Sequence, residues 1–210
     1  MLIRHQRMRA CSLLTTVLIS SLWLISCNTN NTPTLFRQLP ANKTGIDFIN
    51  QVIENDSINP LDLEFLYNGG GVAVGDFNRD GKPDLYFTAS TVSNKLYLNK
   101  GDLSFADITD QAGVTGNGSW SNAASVVDIN NDGLLDIYVC TSIKKNPDHR
   151  KNLLYVNQGV NREGIPLFKE MAREYLLDDT SMSVHAAFFD YDNDGDLDLY
   201  LVNTKLAQRD

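Results

Sequence analysis

Three observations predict an all-β fold built from four-stranded antiparallel units. A nine-residue acidic loop occurs three times, as DFNRDGKPD at 76–84, DINNDGLLD at 128–136 and DYDNDGDLD at 190–198. A short apolar run precedes each loop, and an alternating apolar run follows it. The loops start 52 and 62 residues apart, the spacing of units that each hold four short strands. The expected architecture is a β-propeller with about three blades in this chain and the ring incomplete. A β-sandwich also joins short strands by turns, but it does not require the same loop chemistry at each repeat.

The first strand of each unit is read at 71–74 (GVAV), 123–127 (AASVV) and 186–189 (AAFF). The second is DLYFT from Asp84, DIYVC from Asp136 and DLYLV from Asp198, with the β-branched and aromatic residues and the two-residue period of strands. A third strand is read in NKLYLNKG at 94–101, echoed by NLLYVNQG at 152–159 after a polar insertion at 144–151. The fourth is FADI at 105–108 and FKEM at 168–171. Ahead of the first unit, LFRQL at 35–39 with Gly45-Ile46 repeats the pattern of FADI with Gly113-Val114, so an outermost strand without its own blade is expected there. The third copy stops after its second strand, and the remaining blades are expected from a longer chain.

Each loop places Asp or Asn at positions 1, 3, 5 and 9 and glycine at position 6. Hard oxygen ligands around one sharp turn are how a peptide loop holds calcium. An EF-hand opens the same way but needs a bidentate Glu at position 12 and flanking helices. Position 12 is Phe87, Val139 and Leu201, each inside a strand pattern. Up to three calcium ions are therefore expected. The ligands of the first are Asp76, Asn78, Asp80, Asp84 and the carbonyl of Lys82. Those of the second are Asp128, Asn130, Asp132, Asp136 and the carbonyl of Leu134. Asp190, Asp192, Asp194, Asp198 and the carbonyl of Asp196 serve the third. Gly81, Gly133 and Gly195 are expected to make a turn that a Cβ would obstruct. Charge count ranks the third loop tightest, and Arg79 and Lys82 make the first weakest.

The chain of 210 residues carries a net charge of −8, and the loops hold 11 of its 26 Asp and Glu. Nothing basic is read as a cluster beyond the first ten residues, so a nucleic-acid partner is not expected. Arg4, Arg7 and Arg9 precede a moderately apolar stretch at 11–25, short for a membrane span and suited to a signal peptide. It ends in Leu24-Ile25-Ser26-Cys27, which resembles a bacterial lipobox. Residues 1–26 are thus read as a lipoprotein signal, Cys27 as the lipidated residue, 27–35 as a flexible tether and 36–210 as the repeat domain. Cleavage removes three arginines and no acid, taking −8 to −11. The expected location is the bacterial cell envelope, with the membrane reached through the lipid alone. Cys140, in an apolar run, is read as a small buried thiol.

Catalysis finds little support. His149 lies in the polar insertion and His185 ahead of a strand, and no phosphate loop, nucleophile elbow or zinc-protease motif occurs. A binding module for glycan or protein is the expected function. Its candidate contacts are Trp120, in a glycine-rich stretch at 116–120, and the Asn68-Gly69-Gly70-Gly71 turn. A polysaccharide lyase or hydrolase with its catalytic residues elsewhere, and a purely structural scaffold, are the alternatives.

The run GVAVGDFNRDGKPDLYF, its two echoes and NKLYLNKG resemble the FG-GAP/VCBS repeat family, whose calcium-loop blades also build integrin α-chain propellers. TGIDF at 44–48 followed by NGGG at 68–71 is similar to bacterial lipoproteins that join such propellers to an ASPIC/UnbV domain. The resemblance implies calcium-stabilised propellers of about seven blades used in extracytoplasmic binding and adhesion.

Overall fold

The computed structural model describes residues 35–63 and 66–205. The expected leader, Cys27 and all of the tether but Leu35 lie outside the described residues. Chain packing separates 1–38 from 39–210. In the first unit the described residues 35–38 form no strand, and Leu35 is 91% exposed. The outermost strand expected at 35–39 is not formed, because no described strand pairs with this run to take up its backbone N–H and C=O groups.

Among the described residues the second unit holds ten strands, all antiparallel and paired in chain order. One sheet runs β1 (Val72–Gly75), β2 (Asp84–Phe87), β3 (Lys95–Gly101), β4 (Ser104–Asp107). The next runs β5 (Trp120–Val127), β6 (Asp136–Ser142), β7 (Leu153–Val160), β8 (Pro166–Glu170). A two-stranded sheet pairs β9 (Met182–Phe189) with β10 (Asp198–Thr204). These are propeller-like blades of four, four and two strands. The first strands of the second and third sheets begin three or four residues earlier than the apolar runs suggested, because a register shift near Asn122 lets β5 keep pairing to Trp120, and a shift at Val202/Asn203 extends β9 to Met182.

Two short helices were not anticipated. α1 (Ala41–Thr44) and α2 (Thr109–Ala112) each end on a left-handed glycine, Gly45 (φ 76°) and Gly113 (φ 78°), whose N–H caps the carbonyl four residues back. The repeated Gly-Ile and Gly-Val pairs in the sequence are these helix ends.

Period-two alternation sorts β6 and β7 between two cores. Ile137, Val139, Leu153 and Tyr155 meet Tyr86, Leu96 and Leu98 of the first sheet in one cluster. Tyr138, Cys140, Leu154 and Val156 meet Ala186, Phe188, Leu199 and Leu201 in a second. Every residue of β6 is buried, as expected of a strand covered on both faces. A third cluster sets Leu63 and Leu66 against Trp120.

Each seam between sheets repeats one polar staple. Asn94 Nδ2 donates to Tyr86 Oη (2.8 Å) and to Ser121 Oγ of the next sheet (3.1 Å), while its Oδ1 accepts the Ala89 N–H (2.8 Å). Asn152 does the same with Tyr138 Oη (3.0 Å), Ser183 Oγ (2.8 Å) and the Thr141 N–H (2.8 Å). The tyrosine hydroxyls then donate to the carbonyls of Val114 and Leu177 at 2.9 Å. Gly116 belongs to the first staple: it holds φ 85°, and a Cβ there would come within 2.5 Å of Asn94 Nδ2. Tyr200 occupies the same place in β10 as Tyr86 and Tyr138 in their strands, yet it is 65% exposed where Tyr138 is 0%.

Candidate functional site

The three acidic loops join first to second strands and fold alike. The position 1 carboxylate accepts two backbone N–H groups: Asp76 from Asp80 and Gly81 (3.0 and 2.8 Å), Asp128 from Asp132 and Gly133 (3.0 and 2.8 Å), Asp190 from Asp194 and Gly195 (3.2 and 3.1 Å). At position 5, Asp80, Asp132 and Asp194 accept the N–H two residues on at 2.9, 2.8 and 3.1 Å. Position 9 reaches back to the N–H of position 2, as Asp84 to Phe77 (3.0 Å), Asp136 to Ile129 (2.9 Å) and Asp198 to Tyr191 (2.8 Å). The same bonds in three copies make the loop a built object.

Its backbone requires two left-handed residues. Position 4 is Arg79 (φ 59°), Asn131 (56°) or Asn193 (61°), and position 6 is glycine at 81°, 81° and 93°. A Cβ on Gly81 or Gly195 would meet nothing within 4 Å. The expected obstruction at Cβ is therefore absent, and glycine is required by its φ alone.

Sequence reasoning missed what holds position 9. Asp84 and Asp136 are fully buried, and each gives its second oxygen to a third-strand N–H, that of Asn99 or Asn157, at 2.8 Å. Those asparagines also tie down the far end of the loop: Asn99 Nδ2 donates to Pro83 O (2.9 Å), and Asn157 Nδ2 to Leu135 O (3.2 Å) and to Phe77 O of the preceding sheet (2.9 Å). The signal was the second Asn of NKLYLNKG and NLLYVNQG. Burial pushes the Asp84 carboxyl up to about 6; the two N–H groups oppose this and the Asp80 and Asp76 charges add to it. Asp136 is raised for the same cause.

The donor set fits a hard cation. It is all oxygen, and a carboxylate oxygen that accepts one N–H keeps a lone pair for a metal. In the third loop, oxygens of Asp190, Asp192 and Asp194 lie within 4.8 Å of one another. In the first, Lys82 Nζ sits 3.0 Å from Asp80 Oδ2, so an internal ammonium shares that ligand.

Residues 76–139 match the FG-GAP-like repeat. The match runs from the first acidic loop into β6. Among curated proteins, the chain is 30% identical over 139 residues to cartilage acidic protein 1 of Xenopus tropicalis, covering 65% of this chain and 20% of that protein. The mouse protein of that name is 27% identical over 196 residues, covering 88% of this chain and 27% of its own. A T-cell immunomodulatory protein homolog of Plasmodium yoelii yoelii is 26% identical over 161 residues, covering 70% and 22%. The chain thus spans about a fifth to a quarter of these relatives.

The ends of the strands away from the acidic loops carry two cavities. One, of about 430 Å³, is lined by Gly69, Gly70 and Trp120, so the two contacts expected from sequence do meet. Trp120 is only 2% exposed, however, and packs with Leu63 and Leu66. It forms a wall of the cavity and not a free stacking platform. Its glycine-rich approach is an ordered turn, with Ser119 N bonded to Gly116 O (2.9 Å) and Gly116 N to Tyr155 Oη (3.0 Å). The other cavity, of about 510 Å³, lies under the insertion at 144–151. His149 is exposed at its rim, and His185 is exposed on β9.

Proposed function

We propose that this chain is part of a calcium-stapled interaction module, displayed outside the cytoplasm, whose propeller-like blades present a binding surface for glycan or protein. The observation that carries the reading is the threefold repetition of one all-oxygen loop, down to the same bonds at positions 1, 5 and 9. Calcium there is a staple between strands. It would be held by Asp76, Asn78, Asp80 and Asp84, by Asp128, Asn130, Asp132 and Asp136, and by Asp190, Asp192, Asp194 and Asp198, with the position 7 carbonyls. Bound cation offsets the repulsion of three or four crowded carboxylates, so it stabilises the folded state by mass action.

The FG-GAP-like match and relatives named for cartilage and for T-cell modulation support an interaction role over a reaction. Anchoring through Cys27 in a bacterial envelope is the finer part of the proposal and rests on the sequence at 1–27. Calorimetry with calcium tests the centre of it: up to three sites are expected, the third loop filling first, and chelator should lower Tm. A melting curve indifferent to calcium and chelator overturns the staple. Incorporation of labelled fatty acid, abolished by Cys27→Ala, tests the anchor.

A further inference from the structure

One charge pattern is at odds with the acidic character of the rest. The insertion at 144–151 brings Lys144, Lys145, Arg150 and Lys151 together against the single acid Asp148, in a chain whose net charge is −8. A basic cluster therefore does exist beyond the first ten residues. Four of its members are consecutive enough to be read in the sequence, where the segment passes for a merely polar insertion; the fifth, Arg173, comes from the stretch after β8 and joins in space. The seven residues of β6 separate this cluster from the second acidic loop, roughly 20 Å of strand, so opposite charges occupy opposite ends of the blade.

The loop is held in shape. Arg150 donates through Nε to Thr180 O (2.5 Å) and through Nη1 to Lys144 O (2.9 Å) and Lys145 O (3.0 Å). Asn146 caps the short 3-10 turn Pro147–His149. The cavity beneath has three cations, Lys144, Lys151 and Arg173, and three carboxylates. The carboxylates are not equal. Asp148 is taken by Lys151 at 3.0 Å, and Glu170 Oε1 accepts the N–H groups of Leu154 and Ala172 at 3.2 and 2.8 Å. Among the described residues no side-chain hydrogen bond or ion pair of Asp178 is present. Among the described residues Lys144 and Arg173 have no ion-pair partner, and no side-chain hydrogen bond of either is present.

We propose that this cavity binds an anionic sugar unit, carboxylated or sulfated. Lys144 and Arg173 hold the charge, while Asp178 and the side chains of Asn117 and Ser119 take the ring hydroxyls. The proposal rests on the binding-module reading and gives that module a ligand class and a place. One ammonium-bearing and one guanidinium-bearing side chain lining the same cavity match a planar or tetrahedral anion. Paired donors and acceptors beside them match hydroxyls. The volume is that of a small-ligand site. A peptide site would need a buried aromatic or aliphatic anchor, and single-stranded nucleic acid would need stacking faces along a basic groove. The lining offers neither; its apolar members are Leu153 and Ala172.

The experiment titrates the full chain, in calcium, with four oligomers of matched length: an oligogalacturonate, a sulfated galactan oligomer, a neutral galactan oligomer and a single-stranded DNA. The acidic sugars should bind, one better than the other according to which anion the site prefers, with affinity falling as salt rises. Lys144→Ala with Arg173→Ala should weaken that binding at least tenfold with Tm unchanged, and Asp178→Asn should weaken it less. Equal affinity for neutral and acidic sugars, DNA binding as tight as the acidic sugars, or indifference to the double substitution would overturn the proposal. Binding of neutral sugar untouched by the double substitution would do so while leaving the module reading intact. Failure of that reading shows separately, as loss of the calcium-dependent melting shift. Should the double variant lose stability, Lys144→Gln and Arg173→Gln taken singly carry the same expectation.

Discussion

Replacing Asn152 by alanine should cost about 4 kcal/mol, and the structure says where the cost arises. Asn152 is fully buried and serves three groups. Two of them keep another partner when the amide is removed: Tyr138 Oη still donates to Leu177 O (2.9 Å), and Ser183 Oγ to Asn203 Oδ1 (2.9 Å). The Thr141 N–H has no such recourse and is left unsatisfied in the core. An orphaned buried donor costs about 1–3 kcal/mol, each lost hydrogen bond about 1, and the vacated volume adds to both. Against a total stability of about 5–15 kcal/mol this is a large fraction. Urea unfolding at fixed calcium, followed by fluorescence and far-ultraviolet dichroism, measures it. Asn94→Ala orphans the Ala89 N–H in the same way and should cost a similar amount. Losses under about 1 kcal/mol in both variants would show that the staples contribute little. A cycle of Asn152→Ala with Ser183→Ala should give a coupling of about 1 kcal/mol across the seam.

Thr141→Val should raise stability by about 1 kcal/mol in the same assay, because Thr141 Oγ1 is buried with no partner among the described residues and the methyl replaces it at about equal volume; a loss would mean the hydroxyl is bonded. Arg79→Asn should raise Tm slightly, by about 0.5–1 kcal/mol of stability, since Arg79 alone among the position 4 residues lacks the short polar side chain that tolerates φ 59°. Burial pushes the Cys140 thiol up to about 12, so iodoacetamide at pH 8 should label it only after unfolding; rapid labelling of native protein would contradict its place in the core. Burial also pushes Tyr97 and Tyr155 up to about 12 from an ordinary 10.0. The unfolded chain releases those protons first, so their stabilisation is complete below pH 10 and is lost as pH rises toward 12. The tyrosinate absorbance that Tyr97→Phe or Tyr155→Phe removes should appear only together with unfolding, and its appearance in folded protein near pH 10 would refute the burial.

The loops were legible because their chemistry is local: six consecutive residues fix the turn, and Asp84, Asp136 and Asp198 mark where the second strand begins. Strand identities followed from alternation, as in Ile137 to Cys140, whose two faces the structure assigns to two different cores. What stayed hidden was non-local. Asn94 and Asn99 stood in plain view as repeated letters, but their roles need Ser121 and Asp84 brought close by folding. Arg173 joins the basic loop from over twenty residues away. Trp120 stood out as a contact candidate because glycines precede it, and a distant cluster with Leu63 and Leu66 buries it. Leu35 to Leu39 had the letters of a strand and no described strand to pair with.

The staples have a direction. Asn gives from one sheet, and Ser receives seven residues ahead of the next loop: Ser121 before Asp128, Ser183 before Asp190. The first sheet has Gly69 at that station, with φ 83° and no atom within 4 Å of where its Cβ would lie. It can give and cannot receive. Sheets that share one repeat pattern are at risk of docking out of order while they fold. A serine acceptor present on two sheets and missing on the first distinguishes them chemically: the second and third can each take the preceding sheet's asparagine through a side chain, and the first has none to offer.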